Sequence, residues 1–398
     1  MQTALDRSAA EIVPLVDITR PRGALEITCI EDAPRLDGLR AEWTALLAQS
    51  GADCLFLTWE WLATWWKHLA EGRRLHLLSM RRDGELVGLV PLALRPAQPG
   101  RLLPFRAMEF MGMGPIGSDY LDIIVHPGAE EEVLQALAEY LQRHRYVLEF
   151  SRVDTKSPRL TALMAKLEEG GWSTQSTPTD ACPYIPLQGH DWKSYLATVS
   201  RAHRANVNRR LRKLHETFKS VEFKAVQSEE ERQHAFTMFL RLHQLRWSGK
   251  ERSNAFTGPG TLAFHTEFSR MALEHGWLRL FILRLDGEPV ASTYSFRYRD
   301  TFYYYQAGYD PKHSQHSVGL VTLALALRHA IEDGATRYDL LHGNSGYKDL
   351  WTDCGRPVSR VHCFPPSAGG VLYRRAVGLK QGIKRVVRWG GRSQEARA

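Results

Sequence analysis

The sequence predicts an α/β (α+β) chain built from two tandem copies of one unit, each a mixed central sheet flanked by helices. Three observations lead there. The chain has 398 residues, too many for one typical core and well suited to two. Residues 75 to 95, LHLLSMRRDGELVGLVPLALR, align with residues 278 to 298, LRLFILRLDGEPVASTYSFRY. Each copy reads as an apolar strand, an R-x-D-G-E turn and a second alternating strand, the signature of a hairpin. Behind each hairpin the order also repeats, with a further strand, a helix and a closing strand.

The elements follow in chain order. Residues 1–24 read as a flexible segment, with acidic residues where a signal peptide needs a continuous apolar run. A Trp- or Phe-rich helical stretch precedes each hairpin. In the first unit a helix is expected over Glu130 to Arg143 and a strand over Tyr146 to Phe150. The segment from about Gly171 to Gly189, polar and proline-containing, reads as the link between units. Domains are therefore expected at 25–185, as a supporting unit, and 186–365, as the ligand-binding unit, with a tail at 366–398.

In the second unit a basic helix follows the N-cap candidate Ser200. Another runs over Glu229 to Trp247, where Phe236, Phe239, Leu240, His243 and Trp247 recur at spacings of three and four and form a core stripe. The strand Phe302 to Tyr305, the loop PKHSQHSVG, a helix from Gly319 to Glu332 and a strand from Arg337 to Leu341 come next. This order places a helix N-terminus, with its unpaired N–H groups and positive dipole end, where it can face an anion. The copies differ at that point. The first has VHPGAEEE, whose glutamates satisfy the dipole themselves, whereas PKHSQHSVG holds no acid. Asp339, His342, Tyr347 and Lys348 cluster at and past the end of the last strand.

The formal charge is +8, and residues 366–398 carry +7 of it. A second excess lies at 201–219, with seven basic residues against one acid. Basicity confined to two segments argues against a general polyanion-binding surface. Without interleaved aromatics the 201–219 helix reads as a solvated face. Residues 371–389 form a basic amphipathic pattern that suits an anionic leaflet or simple docking on the domain. The five cysteines are scattered without C-x-x-C spacing, which fits reduced thiols in a cytoplasmic protein. No His/Cys cluster has metal-ligand spacing, and no metal is expected.

The tandem unit, GYDPKHSQHSVG and the later YDLLHGNSGYKDLW resemble the GNAT (Gcn5-related N-acetyltransferase) superfamily, in the branch grouped with the cellulose-biosynthesis protein CelD/BcsL. That branch also resembles the tandem-GNAT FemAB transferases. The resemblance spans residues 30 to 365 and implies tandem GNAT-like domains that move an acyl group from acyl-CoA, acetyl-CoA first, to an amine or hydroxyl acceptor. It implies a role in exopolysaccharide or cellulose production. The CoA pyrophosphate would meet Gln315, His316, Ser317, Val318 and Gly319, and the pantetheine would meet the strand at Ala307 and Gly308. The usual R/Q-x-x-G-x-G/A pattern is met in part, since Gln315 and Gly319 are four apart and Leu320 and Val321 follow.

Tyr347 stands where many GNAT enzymes keep a tyrosine acid. Asp339, His342 and Lys348 are the other catalytic candidates. His342 is a base titrating near neutrality, and a structural Asp339–Lys348 ion pair is the competing role for those two. Arg246, Trp247, Lys250 and Tyr305 are the acceptor-binding candidates. Two other functions stay open. One is an aminoacyl-tRNA-dependent transferase of FemAB type, the only reading with a nucleic-acid partner. The other is an inactive GNAT-fold module of a synthase complex, reached, like an anionic inner membrane, through the tail.

Overall fold

A computed structural model describes residues 23–96, 107–248, 256–343 and 346–379. The first half comprises β1 (Glu26–Ile30), α1 (Ala33–Gly38), α2 (Arg40–Gln49), α3 (Trp59–Leu69), β2 (Arg74–Arg82), β3 (Glu85–Arg95) and β4 (Ala107–Phe110). It continues through β5 (Ile124–Val125), α4 (Glu130–His144), β6 (Val147–Asp154), α5 (Pro158–Glu169) and β7 (Ser173–Pro186). The second half holds α6 (Trp192–Thr198), α7 (Arg201–Thr217), β8 (Val221–Ala225), α8 (Glu229–Trp247), α9 (Pro259–Glu274), β9 (Leu278–Leu285) and β10 (Glu288–Tyr298). Then follow β11 (Thr301–Tyr309), α10 (Val318–Glu332), β12 (Arg337–Asp339) and β13 (Gly355–Phe364). A final helix, α11, occupies 368–379.

The two halves repeat one topology. β1-β2-β3-β4 are antiparallel neighbours, α4 crosses over, and β6 returns parallel to β4. In the same way β8-β9-β10-β11 are antiparallel, α10 crosses over, and β12 lies parallel to β11. Both hairpins turn on Asp-Gly with positive φ at each central residue, 52° and 82° at Asp83 and Gly84, 48° and 84° at Asp286 and Gly287. That geometry matches the right-handed twist of the flanking strands, which is why Asp-Gly is favoured there.

The halves are joined more closely than a linker would allow. The strand order is β1-β2-β3-β4-β6-β13-β7-β12-β11-β10-β9-β8. The segment read as a link is the 14-residue strand β7, which pairs with β13 over most of its length and with β12 at its end. Its Pro178 is tolerated because it sits at a register shift against Ser359. β13, late in the sequence, lies between β6 and β7. Helices close the seam on one face, where the Trp61 ring of α3 meets Phe264 and Phe268 of α9 edge-on at 4.9 and 4.7 Å. Among the described residues no helix is long and apolar enough to cross a membrane.

Candidate active site

β11 has nine residues, but only Thr301, Phe302 and Tyr303 pair with β12. Beyond them the parallel strands part, because β12 ends at Asp339 and Leu341 takes a left-handed turn with φ 56°. The far part of β11 still pairs with β10, so its other edge is open. Arg246, near the end of α8, reaches that edge and donates from Nη1 to the Ala307 carbonyl at 3.0 Å. Its guanidinium lies over the rings of Trp247 and Tyr309, at 5.3 and 5.4 Å.

α10 starts beside the same opening. Its N-cap, Ser317, is left-handed with φ 54° and makes no side-chain cap, and the first turn contains no acid. The N–H groups of this turn and the positive dipole end therefore have no side-chain cap and no acid of the helix's own first turn to meet them. The matching helix of the first half begins with Glu130, Glu131 and Glu132, and Glu130 already accepts from the Gly128 N–H at 2.7 Å. The contrast read in the sequence holds in the fold.

Between the parted strands and α10 lies a cavity of about 250 Å³, lined by Arg246, Tyr304, Ala307, Gly308, Ser317, Val318, Gly319, Tyr347 and, from elements not singled out in the sequence, His203, Ser292 and Trp351. His203 and Ser292 are buried, and neither His203 Nε2 nor Ser292 Oγ has a hydrogen-bond partner among the described residues. Burial lowers the His203 pKa and keeps the ring neutral. Its imidazole stands edge-on to Trp351 at 4.6 Å. The Ser292 side chain shares the face of Gly308, its register partner, and so turns towards α8, which leaves His203 Nε2 as the unpartnered buried polar atom beside the cavity, a costly state unless a ligand meets it.

Seven of the sequence candidates thus converge: Arg246, Ala307, Gly308, Ser317, Val318, Gly319 and Tyr347. Others lie elsewhere. Gln315 is exposed, and its carbonyl accepts from Arg210 Nη1 at 3.1 Å. The His316 ring packs on Phe218 at 4.9 Å, and Trp247 serves as a shelf for Arg246. Tyr305 projects from the opposite face of β11, where its hydroxyl donates to the Ile116 carbonyl and its ring meets Trp61. Alternation along the strand gives the cavity to Tyr304 instead. Lys250 lies outside the described residues.

Asp339, His342 and Lys348 do not line the cavity, and the Asp339–Lys348 ion pair does not form. Asp339 accepts from the Tyr120 hydroxyl at 2.9 Å and the Leu341 N–H at 2.8 Å, and burial pushes its carboxyl up to about 6. The Lys348 ammonium donates to the carbonyls of Leu340, Leu341 and His342 at 2.9, 3.0 and 3.1 Å. It thereby fastens the turn that parts β12 from β11. Burial lowers its pKa. His342 joins a cluster from the first half, donating from Nδ1 to Asp119 at 2.9 Å and accepting at Nε2 from Arg152 at 2.9 Å. Asp119 and Arg152 carried no local signal, because their partner is some two hundred residues away in sequence.

This geometry agrees with likeness to known proteins. Residues 201–349, which contain nearly the whole cavity wall, match the family model described as acetyltransferase (GNAT) domain. The chain carries a GNAT-type acetyltransferase domain. The fold of FemX is similar, with TM-score 0.57 and 13% identity over 88% of this chain and 99% of that one. A conserved protein of unknown function from Bacteroides thetaiotaomicron gives 0.53 and 14% over 85% and 99%. The C-terminal domain (DUF2156) of an Agrobacterium fabrum protein assigned as a lysylphosphatidylglycerol synthetase gives 0.52 and 11% over 87% and 96%. Identities this low speak for fold alone. No curated protein matches the sequence. The GNAT domain and the repeated strand-helix-strand topology make the fold a tandem GNAT-like α/β architecture with a large mixed sheet.

Proposed function

We propose that the GNAT domain binds an acyl-CoA, acetyl-CoA first, in the cavity at the start of α10 and transfers the acyl group to an amine or hydroxyl acceptor. The observation that carries this is the coincidence of an uncapped, acid-free helix N-terminus with an open strand edge and an unpartnered buried imidazole in one cavity. A volume near 250 Å³ suits a thioester and part of a pantetheine arm. It leaves the nucleotide outside, since whole drug-sized ligands take about 300–1,000 Å³. The first-turn N–H groups of α10 hold the pyrophosphate, and Arg246 adds a cation beside them.

In the transfer step the acceptor attacks the thioester carbonyl, the C–S bond breaks, and the acceptor proton passes to His203 Nε2. Tyr347 gives its phenolic proton to the departing thiolate. The resulting phenolate and imidazolium return to neutral by proton exchange through solvent. The acceptor is taken to belong to exopolysaccharide or cellulose production, on the resemblance of the late motif alone.

Calorimetry with acetyl-CoA tests the proposal. Binding is expected, and Gly319→Glu, which puts a carboxylate at the anion position, is expected to abolish it with the fold intact. No binding of acetyl-CoA or a longer acyl-CoA at millimolar concentration would leave the inactive interaction module as the better reading.

One observation favours a second reading. The α7 helix lies against the cavity through His203 while Arg201, Arg209, Arg212 and Lys213 face solvent, a placement that suits an aminoacyl-tRNA donor. Filter binding of tRNA across a salt series separates the two, because phosphate contacts give a steep slope.

A further inference from the structure

Far from the cavity in the fold, the edge ribbon β1–β2 brings a thiol, an imidazole and a carboxylate together. Cys29 pairs with Leu78 and Ile30 with Leu77. Cys29, Glu31 and His76 therefore project from the same face of the ribbon, since alternate residues share a face. One ligand atom from each lies within 4.8 Å of the other two. The Cys29 Sγ to His76 Nδ1 separation is 3.5 Å. A tetrahedral ion with a sulfur ligand at about 2.3 Å and a nitrogen ligand at about 2.05 Å holds those atoms about 3.6 Å apart. The pair already has the edge length of such a site.

The surroundings accommodate the protonation that ligation requires. The other ring nitrogen, His76 Nε2, lies 2.9 Å from the Tyr140 hydroxyl. With Nε2–H donating to Tyr140, the Nδ1 lone pair points at Cys29, the outer-sphere arrangement that orients metal-bound histidines. His76 is buried, and burial lowers its pKa, so it is neutral and able to ligate. Burial raises the Cys29 pKa, and a bound cation would displace that proton to leave the thiolate. Glu31 pairs with exposed Arg74, at 3.3 Å. Exposed pairs of this kind contribute little, so the carboxylate can swing inward.

We propose that Cys29, His76 and Glu31 form a divalent transition-metal site of the zinc class, with water in the fourth position. Soft thiolate with imidazole selects that class over calcium or magnesium. The ion would clasp the terminal strand β1 to β2 and, through Tyr140, to α4, and so staple an otherwise free sheet edge. It takes no part in acyl transfer.

Cobalt(II) titration of the metal-free full-length protein tests this. The expected result is one equivalent bound with a thiolate-to-cobalt charge-transfer band. Cys29→Ser should remove the band and Cys354→Ser, at an exposed cysteine, should leave it. Tyr140→Phe should weaken affinity about 10–100-fold. Zinc should raise the melting temperature of the wild type and leave that of Cys29→Ser, folded by circular dichroism, unchanged. If Cys29→Ser misfolds, His76→Gln serves in its place and should likewise lose the band. Absence of the band in the wild type, or its survival in either variant, would overturn the proposal.

Discussion

Gly308 of β11 lies directly under the backbone of His243 in α8, so close that a Cβ on it would stand 2.3 Å from the His243 nitrogen and 2.5 Å from the Leu242 carbonyl carbon. No side chain fits there, and neither contact is one that a rotamer change could relieve. This approach seats α8 on the face of β11 and delivers Arg246, at the end of the helix, to the Ala307 carbonyl. Gly308→Ala should therefore push α8 outward and cost about 3 kcal/mol, the upper end of overpacking costs. Urea denaturation would read that loss. Donor affinity should fall with it, because the cation beside the α10 N-terminus moves away.

Tyr347→Phe separates chemistry from binding. The phenol lines the cavity beside Tyr304, and removing only its proton leaves the wall shape almost unchanged. General acid catalysis contributes about 10²–10⁴-fold. Turnover should drop on that scale while the acyl-CoA dissociation constant measured by calorimetry stays within about twofold. Equal turnover in the two proteins would remove Tyr347 from the mechanism.

What the sequence made legible was local. The repeat was readable because an Asp-Gly turn with two positive φ values imposes its residues, and both hairpins use it. The acid-free start of α10 was readable because the lack of acids in PKHSQHSVG can be judged without a partner. What was not legible depends on distant pairing. β7 looked like a link because its prolines and polar residues are those of a loop, and only β13, nearly two hundred residues later, makes it a strand. Tyr305 and Tyr304 could be told apart only once the strand's phase against the sheet was known. His203 was hidden in a basic run whose exposed face is conspicuous, while its His203, Val207 and Leu214 stripe turns inward.

As the proposed base, His203 should give the rate its own pH signature. A base works only when neutral, and burial lowers the His203 pKa. The acid limb of kcat should accordingly break below the ordinary histidine value of about 6.5. His203→Gln should lower kcat by about 10²–10⁴-fold and flatten that limb. A loss of rate with the acid limb intact would assign the limb, and the base, to another group.

Stability should fall on mild acidification, and two buried histidines are the reason. His265 is fully buried and His243 nearly so. Burial pushes the first down to about 3, with His243 nearby adding to the effect, and the second to about 4, with help from the Arg246 charge. In the unfolded chain both titrate near 6.5. Below that pH the unfolded state holds protons that the folded state refuses, so stability is complete above about 6.5 and is lost as pH falls towards 4. Each group contributes a slope of about 1.4 kcal/mol per pH unit within the window. Asp339 acts in the opposite sense, because its folded pKa of about 6 stands above the unfolded carboxyl, and its contribution is lost as pH rises from about 4 to 6. Two histidines outweigh one aspartate, leaving a net fall on acidification. Urea unfolding at pH 7 and pH 5 should show it, and His265→Phe, which keeps the ring volume against Trp61 and Phe256 without a titrating nitrogen, should reduce the difference between the two pH values by about 1–2 kcal/mol. An undiminished difference would remove His265 as a source of the acid sensitivity.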